Sequence, residues 1–230
     1  MKHYPILKIP PKINECLNGG YLLVDGNEVY DPLNAKGNLM KCFSEISQPI
    51  IFNNSYIKGI SEDNFFRLLV DKSDQTFFYN NLIIKTENHL QNNYLPDITF
   101  WEPVDNFILA IEIDEPYSLE TGVPTHCIGS DDERDNYFLS NGWCILRFSE
   151  YQVIKYPEEC FRYIASVYYN ICENLTYKIG YKELKYYPCW TVKEAYSMAY
   201  HRLRSIYLKE KIENRMGEDQ LLSLSKFLPL

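Results

Sequence analysis

The strongest pattern of hydrophobic positions lies in the middle of the chain, where three apolar runs of strand length follow one helical segment. Ser61 is expected to begin this helix, because its hydroxyl and the two acids after it suit the free N–H groups of a helix start. A loop over residues 102–106 separates the last two runs, which makes them a hairpin. The predicted strands cover residues 77–85, 98–101 and 107–114.

A second helix and a fourth strand are predicted after the hairpin. Ser130 and Glu133 have the spacing of a capping box, in which both side chains bond to the backbone of the first helical turn. Asn141-Gly142 ends this helix, since glycine is common just after a helix, and residues 143–148 form the next apolar run. The order helix, three strands, helix, strand predicts an α/β fold with a mixed sheet.

The two ends of the chain have different patterns from this core, which we take as residues 59–155. Residues 1–58 combine turn residues with short apolar runs, so we expect an N-terminal extension of short strands and loops. Residues 156–230 show helical periodicity and are expected to form a helical region packed on the core.

A long helix is predicted near the C-terminus, because a Thr191–Glu194 capping box opens a helical pattern that continues to about residue 213. Its apolar stripe is expected to pack on the core, while Arg202 and Arg204 project from other sides. These bases would contact nucleic acid or a partner, or form a solvated polar face. The stripe consists of Val192, Ala195, Tyr196, Ala199, Leu203 and Ile206.

The composition is that of a globular protein. Of 230 residues, 46% are hydrophobic and 23% are charged, which excludes a disordered or collagen-like chain. No stretch approaches the roughly 20 apolar residues of a membrane span, and the first residues lack the apolar run of a signal peptide. We therefore expect a cytoplasmic protein that does not bind membranes. The seven cysteines contain no C-x-x-C pair, which favours buried free thiols over disulfides or a zinc site.

Charge is unevenly distributed along the chain. The net charge of −8 argues against a protein that binds nucleic acid by bulk electrostatics. Residues 62–135 contain sixteen acids and four bases, a balance of −12, whereas residues 193–215 are mildly basic. The acidic segment is interpreted either as a solvated surface or as a carboxylate site that needs a cation.

Two carboxylates are expected to meet across the predicted hairpin. Side chains alternate along a strand, so Glu112 and Asp114 share one face of the third strand. If the hairpin pairs Trp101 with Ile108, Asp97 lies opposite Glu112, with Cβ atoms about 4.5–5.5 Å apart. Such carboxylates repel unless a cation lies between them, and Mg²⁺ prefers oxygen ligands. Solvated strand ends are the alternative, but Glu112 interrupts an apolar run, where an unpaired carboxylate is costly.

Four motifs in this region together resemble a known superfamily. They are Pro96-Asp97, Ile111-Glu112-Ile113-Asp114, Asp131-x-x-Arg134-Asp135 and Gly142-Trp143-x-Ile145-Leu146-Arg147-Phe148. This set resembles the PD-(D/E)XK nuclease superfamily, in particular its branch of proteins related to very-short-patch-repair endonucleases. The resemblance covers residues 61–153 and implies a restriction-endonuclease-like core.

The resemblance also implies a metal site. In such families an Asp after Pro and the Glu of the E-x-D element bind Mg²⁺ together with the carbonyl between them, and Mn²⁺ is expected to substitute. In this chain those groups are Asp97, Glu112 and the carbonyl of Ile113. Glu62 occupies the place of an assisting acid in the first helix, and Asp114 replaces the superfamily's lysine, as is common in this branch.

The chain departs from the branch after Asp114, where a glycine and a nearby histidine are missing. His126 follows an extra loop and is expected either to enter the site or to lie on the surface. Arg134 is expected to contact a phosphate, or to form a salt bridge with Asp114 or Asp131. Lys85 is a weaker substitute for the missing lysine.

Three functions remain open from the sequence. The first is a Mg²⁺-dependent nuclease, with DNA a more suitable substrate than RNA. In it Asp114, His126 or Glu62 orients or deprotonates the attacking water, and Arg134 stabilises the developing charge. The second is a catalytically degenerate scaffold or nucleic-acid-binding subunit. The third is a hydrolase or metal site at His126–Cys127, which is weaker because adjacent side chains point apart on an extended chain.

The acidic core also bears on partners. Phosphates must approach a segment with a balance of −12 that contains few bases, whereas nucleases gain much of their affinity from lysine and arginine contacts. We therefore expect weak DNA binding by the isolated monomer and useful activity as a homodimer or with a basic partner protein. The tyrosines of the C-terminal region are interpreted as interface residues or as core residues.

Overall fold

The computed structural model describes residues 2–18, 21–24, 27–30, 32–52, 59–73, 77–84, 94–173 and 184–213. Its N-terminal elements are β1 (His3–Tyr4), β2 (Ile6–Lys8), α1 (Pro11–Asn18), β3 (Tyr21–Val24), β4 (Asn27–Tyr30), α2 (Pro32–Ser44) and β5 (Pro49–Ile51). The middle elements are α3 (Ile60–Lys72), β6 (Phe78–Tyr79), β7 (Leu82–Ile84), β8 (Ile98–Glu102), β9 (Phe107–Asp114), α4 (Asp132–Ser140) and β10 (Cys144–Ser149). The C-terminal elements are α5 (Glu150–Lys155), α6 (Pro157–Tyr168), a π-helical turn (Tyr169–Glu173), β11 (Tyr187–Pro188), α7 (Val192–Tyr200) and α8 (Leu203–Glu213).

Strand β9 lies at the centre of a five-stranded sheet with the order β2-β10-β9-β8-β6. It pairs antiparallel with β8 and parallel with β10, so the predicted α/β class with a mixed sheet is confirmed. Three two-stranded sheets, β1–β11, β3–β4 and β5–β7, are separate from it. No helix in the described ranges combines the length and the apolar character that a membrane crossing needs.

The hairpin of β8 and β9 has the register that was assumed when its carboxylates were placed. Trp101 pairs with Ile108, and Ile98 pairs with Ile111, so the next position of each strand places Asp97 opposite Glu112. The alternation of side chains along the strands therefore locates these acids correctly. Their roles in catalysis stay predictions.

The two faces of β9 pack against different helices. On one face Ile111 joins a core cluster with Phe65 of α3 and Ile164 of α6. On the other face Ala110 packs in a cluster with Phe138 of α4, and Glu112 shares this face. Each buried apolar side chain of this size contributes roughly 1.5–3 kcal/mol, so both layers hold β9 in place.

The strand predicted over residues 77–85 is two strands in two sheets. Strand β6 pairs with β8 at the edge of the central sheet, whereas β7 pairs with β5. Asn80 and Asn81 form the bend between them. Asparagine favours turns because its side chain bonds to nearby backbone, which explains the interruption of an otherwise apolar run.

Two predicted helix starts are also wrong. Helix α3 begins one residue before Ser61, whose hydroxyl donates a 2.7 Å hydrogen bond to Glu150 rather than capping the helix. Helix α4 begins at Asp132 with Asp131 as its N-cap residue and no side-chain cap bond, so the Ser130–Glu133 capping box does not form. Ser61 is engaged by a tertiary contact, whereas the hydroxyl of Ser130 donates to the carboxylate of the adjacent Asp131.

The predicted C-terminal helix is broken into α7 and α8. The Thr191–Glu194 capping box is present at the start of α7. The break lies at Arg202, which has a φ of 54° and cannot continue a right-handed helix. On α7, Ala195 is buried, but Val192 and Tyr196 are exposed, so the predicted apolar stripe is wrong at those two positions.

Arg204 does not project into solvent as predicted. Its guanidinium donates to both carboxylate oxygens of Glu150, at 2.7 and 2.8 Å, and to the carbonyl of Tyr117 at 2.6 Å. The hydroxyl of Tyr207 donates to the same carboxylate at 2.7 Å. Because Glu150 is buried, this ion pair attaches α8 to the core. The Arg204 guanidinium is therefore engaged within the protein rather than with a phosphate.

The N-terminal region contains more regular structure than its turn residues predicted. The short strands are present, but helices α1 and α2 were not predicted. Strand β2 pairs antiparallel with β10 and so forms an edge of the central sheet. The region before residue 58 therefore contributes directly to the core fold.

The cysteines largely follow the sequence prediction. Five of them are buried free thiols: Cys127, Cys144, Cys160, Cys172 and Cys189. Cys16 and Cys42 instead form a sulfur–sulfur contact that joins α1 to α2, which the spacing of the cysteines did not predict.

Gly142 is expected to be required for the turn between α4 and β10. Its φ is 84°, and an added Cβ would lie 2.4 Å from Cγ2 of Ile46. Gly142→Ala should therefore lower the free energy of unfolding by about 2 kcal/mol or more, measured by urea denaturation. Gly122→Ala is the matched control, because Gly122 has a φ of 69° but no atom within 4 Å of the new Cβ. Equal losses in both variants would contradict the steric explanation.

Candidate active site

Asp97 and Glu112 form the inner part of the candidate site. Asp97 immediately precedes β8, and its Oδ2 accepts a 2.7 Å hydrogen bond from the backbone N–H of Ile113. Glu112 lies within β9 and is only 1% exposed. The two carboxylates are thus held by paired strands, with a backbone bond that fixes one of them against the other strand.

Arg134, in the first turn of α4, forms an ion pair with the carboxylate of Glu112. Its Nη2 lies 2.7 Å from Oε2 of Glu112 and donates a 3.0 Å hydrogen bond to Oε1. The same Nη2 donates to the carbonyl of Leu95 at 2.8 Å. The salt bridge predicted with Asp114 or Asp131 is therefore formed with Glu112 instead, because α4 packs on the face of β9 that carries this residue.

Burial dominates the ionisation of the inner pair. It raises the pKa of Glu112 to about 8, although the Arg134 guanidinium lowers it. Burial likewise raises the pKa of Asp97, while Arg134 and the Ile113 hydrogen bond lower it. The group contains two carboxylates and one cation, so it carries an excess negative charge when both acids are ionised. A proton or another cation would neutralise this charge.

Arg147 of β10 organises a second, outer group of charges. Its guanidinium donates to both oxygens of Asp114, at 2.9 and 2.7 Å, and to Asp135 at 2.7 Å. It also lies 3.3 Å from the carboxylate of Asp131, and Lys8 of β2 lies 2.5 Å from Asp135. Arg147 is 3% exposed, and burial opposes its charge, but Asp114 and the neighbouring acids raise its pKa strongly.

His126 enters this outer group, as one of the two sequence interpretations required. Its Nδ1 lies 3.3 Å from Asp131 and 3.4 Å from Asp114, and its backbone has a φ of 46°. Burial lowers its pKa, but the hydrogen bond to Asp131 and the charges of Asp114 and Glu115 raise it to about 9. The guanidinium of Arg147, 3.2 Å away, opposes this charge. This raised pKa favours the protonated imidazole at neutral pH. The predicted part of His126 in orienting or deprotonating the attacking water stays a prediction.

Two other predicted residues have less defined positions. Glu62 is half-buried in the first turn of α3, with its Oε1 close to Gly59. Its role in the site stays a prediction. Lys85 lies outside the described residues.

Cys127 does not have the environment of a nucleophile. Burial raises the pKa of its thiol, and the nearby Asp131 raises it further. The thiol donates to the carbonyl of Thr125. Because the thiolate is the reactive form, this environment does not support a His126–Cys127 hydrolase.

The outer group contains residues whose roles sequence reasoning missed. Arg147 was noted only as part of a motif, and Asp135 was assigned no partner. A signal was available, because Arg147 interrupts a buried apolar run as Glu112 does, and the parallel register pairs these two positions. Sequence could not show which acids would surround the guanidinium, because they come from two separate segments, the end of β9 and the start of α4.

A cleft of about 390 Å³ opens onto the outer group. Asp114, His126 and Arg147 line one side, and residues 2–8 and Cys189 line the other. Asp97 and Glu112 do not line this cleft. In the described ranges no three Asp, Glu, His or Cys side chains converge as a ready-made metal centre.

Comparisons with protein-family models, with curated protein sequences and with solved structures found no match to this chain. The interpretation of the site therefore depends on its own geometry.

His126 should contribute stability that depends on pH. Its folded pKa of about 9 exceeds the ordinary 6.5, so this contribution is complete below pH 6.5 and is lost as the pH rises through 9. His126→Gln should lower the free energy of unfolding by about 3 kcal/mol at pH 6 and by much less at pH 9.5, measured by urea denaturation. Asp131→Asn should weaken the same dependence. An equal loss at both pH values would contradict the charged state of His126.

Proposed function

We propose that this chain is a Mg²⁺-dependent nuclease that hydrolyses phosphodiester bonds in DNA. The observation that carries the proposal is the pair of carboxylates at the β8–β9 hairpin, where Asp97 immediately precedes β8 and accepts a hydrogen bond from β9, and Glu112 lies within β9. The arrangement of α3, the β8–β9 hairpin, α4 and the parallel β10 also supports a restriction-endonuclease-like core of the PD-(D/E)XK superfamily. We place the protein in the cytoplasm.

The residues present fit a divalent cation. Oε2 of Glu112 is buried and accepts no hydrogen bond within the described part of the chain, although Arg134 lies close to it. Mg²⁺ is commonly bound by one or two carboxylates and several waters, so a three-ligand protein cage is not required. Asp97, Glu112 and the carbonyl of Ile113 would hold the ion. When bound, it would lower the pKa of a water and neutralise charge on the scissile phosphate.

The surrounding residues would supply the remaining steps. Arg134 lies against Glu112 and would hold a phosphate oxygen, which stabilises negative charge as the bond breaks. His126 carries a proton at neutral pH, and in this proposal it donates that proton to the leaving oxygen rather than taking one from water. Glu62 and Asp114 are then the carboxylates left to orient the attacking water.

The partner part of the proposal is a homodimer or a complex with a basic protein. Its basis is the acidic balance of residues 62–135. The structure reduces this repulsion, because Arg147 and Lys8 from outside the segment pair with its acids. DNA affinity at near-physiological salt, measured with the mass by light scattering, tests this part. A monomer that binds duplex DNA in the nanomolar range would contradict it.

The catalytic proposal predicts the loss of cutting when either carboxylate is neutralised. Asp97→Asn and Glu112→Gln should each lower divalent-dependent cleavage of plasmid and oligonucleotide DNA by at least about a hundredfold. Both should also weaken Mn²⁺ binding, measured by isothermal titration calorimetry, while circular dichroism shows intact folding.

Glu133→Gln is the matched control for these variants, because Glu133 lies on α4 beside Arg134 but is exposed. It should cut and bind Mn²⁺ as the unmodified protein does. Undiminished cutting by both Asp97→Asn and Glu112→Gln would refute the proposed site.

The second candidate is a catalytically degenerate scaffold on the same fold. The observation that favours it is that Arg134 and Arg147 already pair with Glu112 and Asp114. Under this alternative neither Mn²⁺ nor Mg²⁺ binds at millimolar concentration, and the two carboxylate variants bind DNA as the unmodified protein does.

A further inference from the structure

The outer face of α7 presents an exposed apolar stripe. Val192, Tyr196 and Tyr200 are spaced by four residues and so lie on one side of the helix. Tyr196 is 56% exposed and Tyr200 is 84% exposed, whereas large aromatic side chains are on average largely buried. The opposite side of the helix is occupied by the buried Ala195 and Met198. Packing of α7 on the core therefore does not require the exposed tyrosines.

Positive charge accompanies this stripe in a protein whose net charge is negative. All of residues 184–209 are described, and within them the one acid is Glu194, whose carboxylate is bonded to Thr191 in the capping box. The exposed bases of this stretch are Lys185, Lys193, Arg202 and Lys209. The exposed charged side chains of residues 184–209 are therefore basic, which suits a polyanion, whereas the middle of the chain is acidic.

The same surface adjoins the candidate active site. Cys189, three residues before α7, lines the cleft together with Lys2 and His3. The exposed Tyr186 ring lies 6.3 Å from the ring of His3. Helix α7, which is about 13 Å long, begins three residues after Cys189. A strand bound over the start of α7 would thus lie beside the cleft that contains Asp114, His126 and Arg147.

We propose that Val192, Lys193, Tyr196, Tyr200 and Arg202 form an aromatic platform that binds single-stranded DNA beside the cleft. This inference rests on the proposed nuclease function and names the form of its substrate. The exposed rings stack on the faces of unpaired bases, which are covered by their neighbours in a duplex. The basic side chains of the platform, Lys193 and Arg202, contact the phosphates of the same strand.

The balance between stacking and charge favours a single strand over a duplex. The region has few exposed lysine and arginine side chains, so the affinity gained when these side chains release counterions from DNA is modest. Each nucleobase that stacks on a tyrosine ring contributes about as much binding free energy as several such lysine or arginine contacts. Stacking also requires that the faces of the nucleobase be accessible. The platform therefore gains most from unpaired DNA, such as a flap, a gap or a displaced strand.

Binding can be tested separately from cutting. The probe is a fluorescein-labelled oligothymidylate of about 20 nucleotides, compared with a duplex of the same length by fluorescence anisotropy in EDTA. The unmodified protein should bind the single strand at least about tenfold more tightly. Tyr196→Ala/Tyr200→Ala should lose about tenfold or more, whereas Tyr196→Phe/Tyr200→Phe should bind within about twofold of the unmodified protein.

The charged residues should act through the salt dependence. Lys193→Gln/Arg202→Gln should reduce the slope of log affinity against log salt by roughly 1.4, if each side chain contacts one phosphate. Two controls lie elsewhere in the chain: Val104→Ala, an exposed apolar residue in the β8–β9 loop, and Lys12→Gln, an exposed base of α1. Both should leave the affinity and the slope unchanged.

The outcomes distinguish this inference from the proposed function. Binding of the oligonucleotide without divalent-dependent cutting would support the platform and refute the nuclease. Cutting that survives in the Tyr→Ala pair, with unchanged single-strand affinity, would refute the platform alone. Equal affinity for duplex and single strand would also overturn it. A dimer by light scattering that the Tyr→Ala pair dissociates, without loss of DNA affinity, would assign the stripe to an interface between copies.

Discussion

The structure depends on keeping charged side chains buried at one end of its central strands. Glu112 and Asp114 of β9 and Arg147 of β10 are almost fully buried on these neighbouring strands, where each unpaired ion would cost several kcal/mol. Their partners come from different segments: Arg134 of α4 pairs with Glu112, His126 of a long loop lies against Asp114, and Asp135, which also pairs with Lys8 of β2, binds Arg147. Correct pairing of these charges therefore requires that all three segments be in place.

The two groups of charges are built differently, and the difference matters for chemistry. In the outer group, Asp114, Asp131 and Asp135 each lie against Arg147, and His126 and Lys8 pair with the same acids. In the inner group, Arg134 contacts Glu112, and burial raises the pKa of both Asp97 and Glu112. A network of paired charges makes a rigid wall, whereas a buried pair of carboxylates with raised pKa values retains a capacity to take up a proton or a cation. The groups of the site that can take up a proton or a cation therefore lie at the hairpin.

Sequence was informative where the local pattern and the tertiary fold agree. Alternation along β8 and β9, with Trp101 taken as the partner of Ile108, predicted the opposition of Asp97 and Glu112, and that register is observed. Ser61 was misassigned because its hydroxyl serves Glu150, 89 positions away. The partners of Arg147 were missed for the same reason, and the helix break at Arg202 has no proline or glycine to mark it. Long-range pairing of polar groups is not encoded in the periodicity of any one segment.

Net charge along a segment also proves a poor guide to the field at a site. The balance of −12 over residues 62–135 counts Asp114, Asp131 and Asp135 in full. Arg147 and Lys8, which lie outside that segment, are bonded to these acids and neutralise much of their charge. A polyanion would therefore meet weaker repulsion at the cleft than the linear distribution of charge implies.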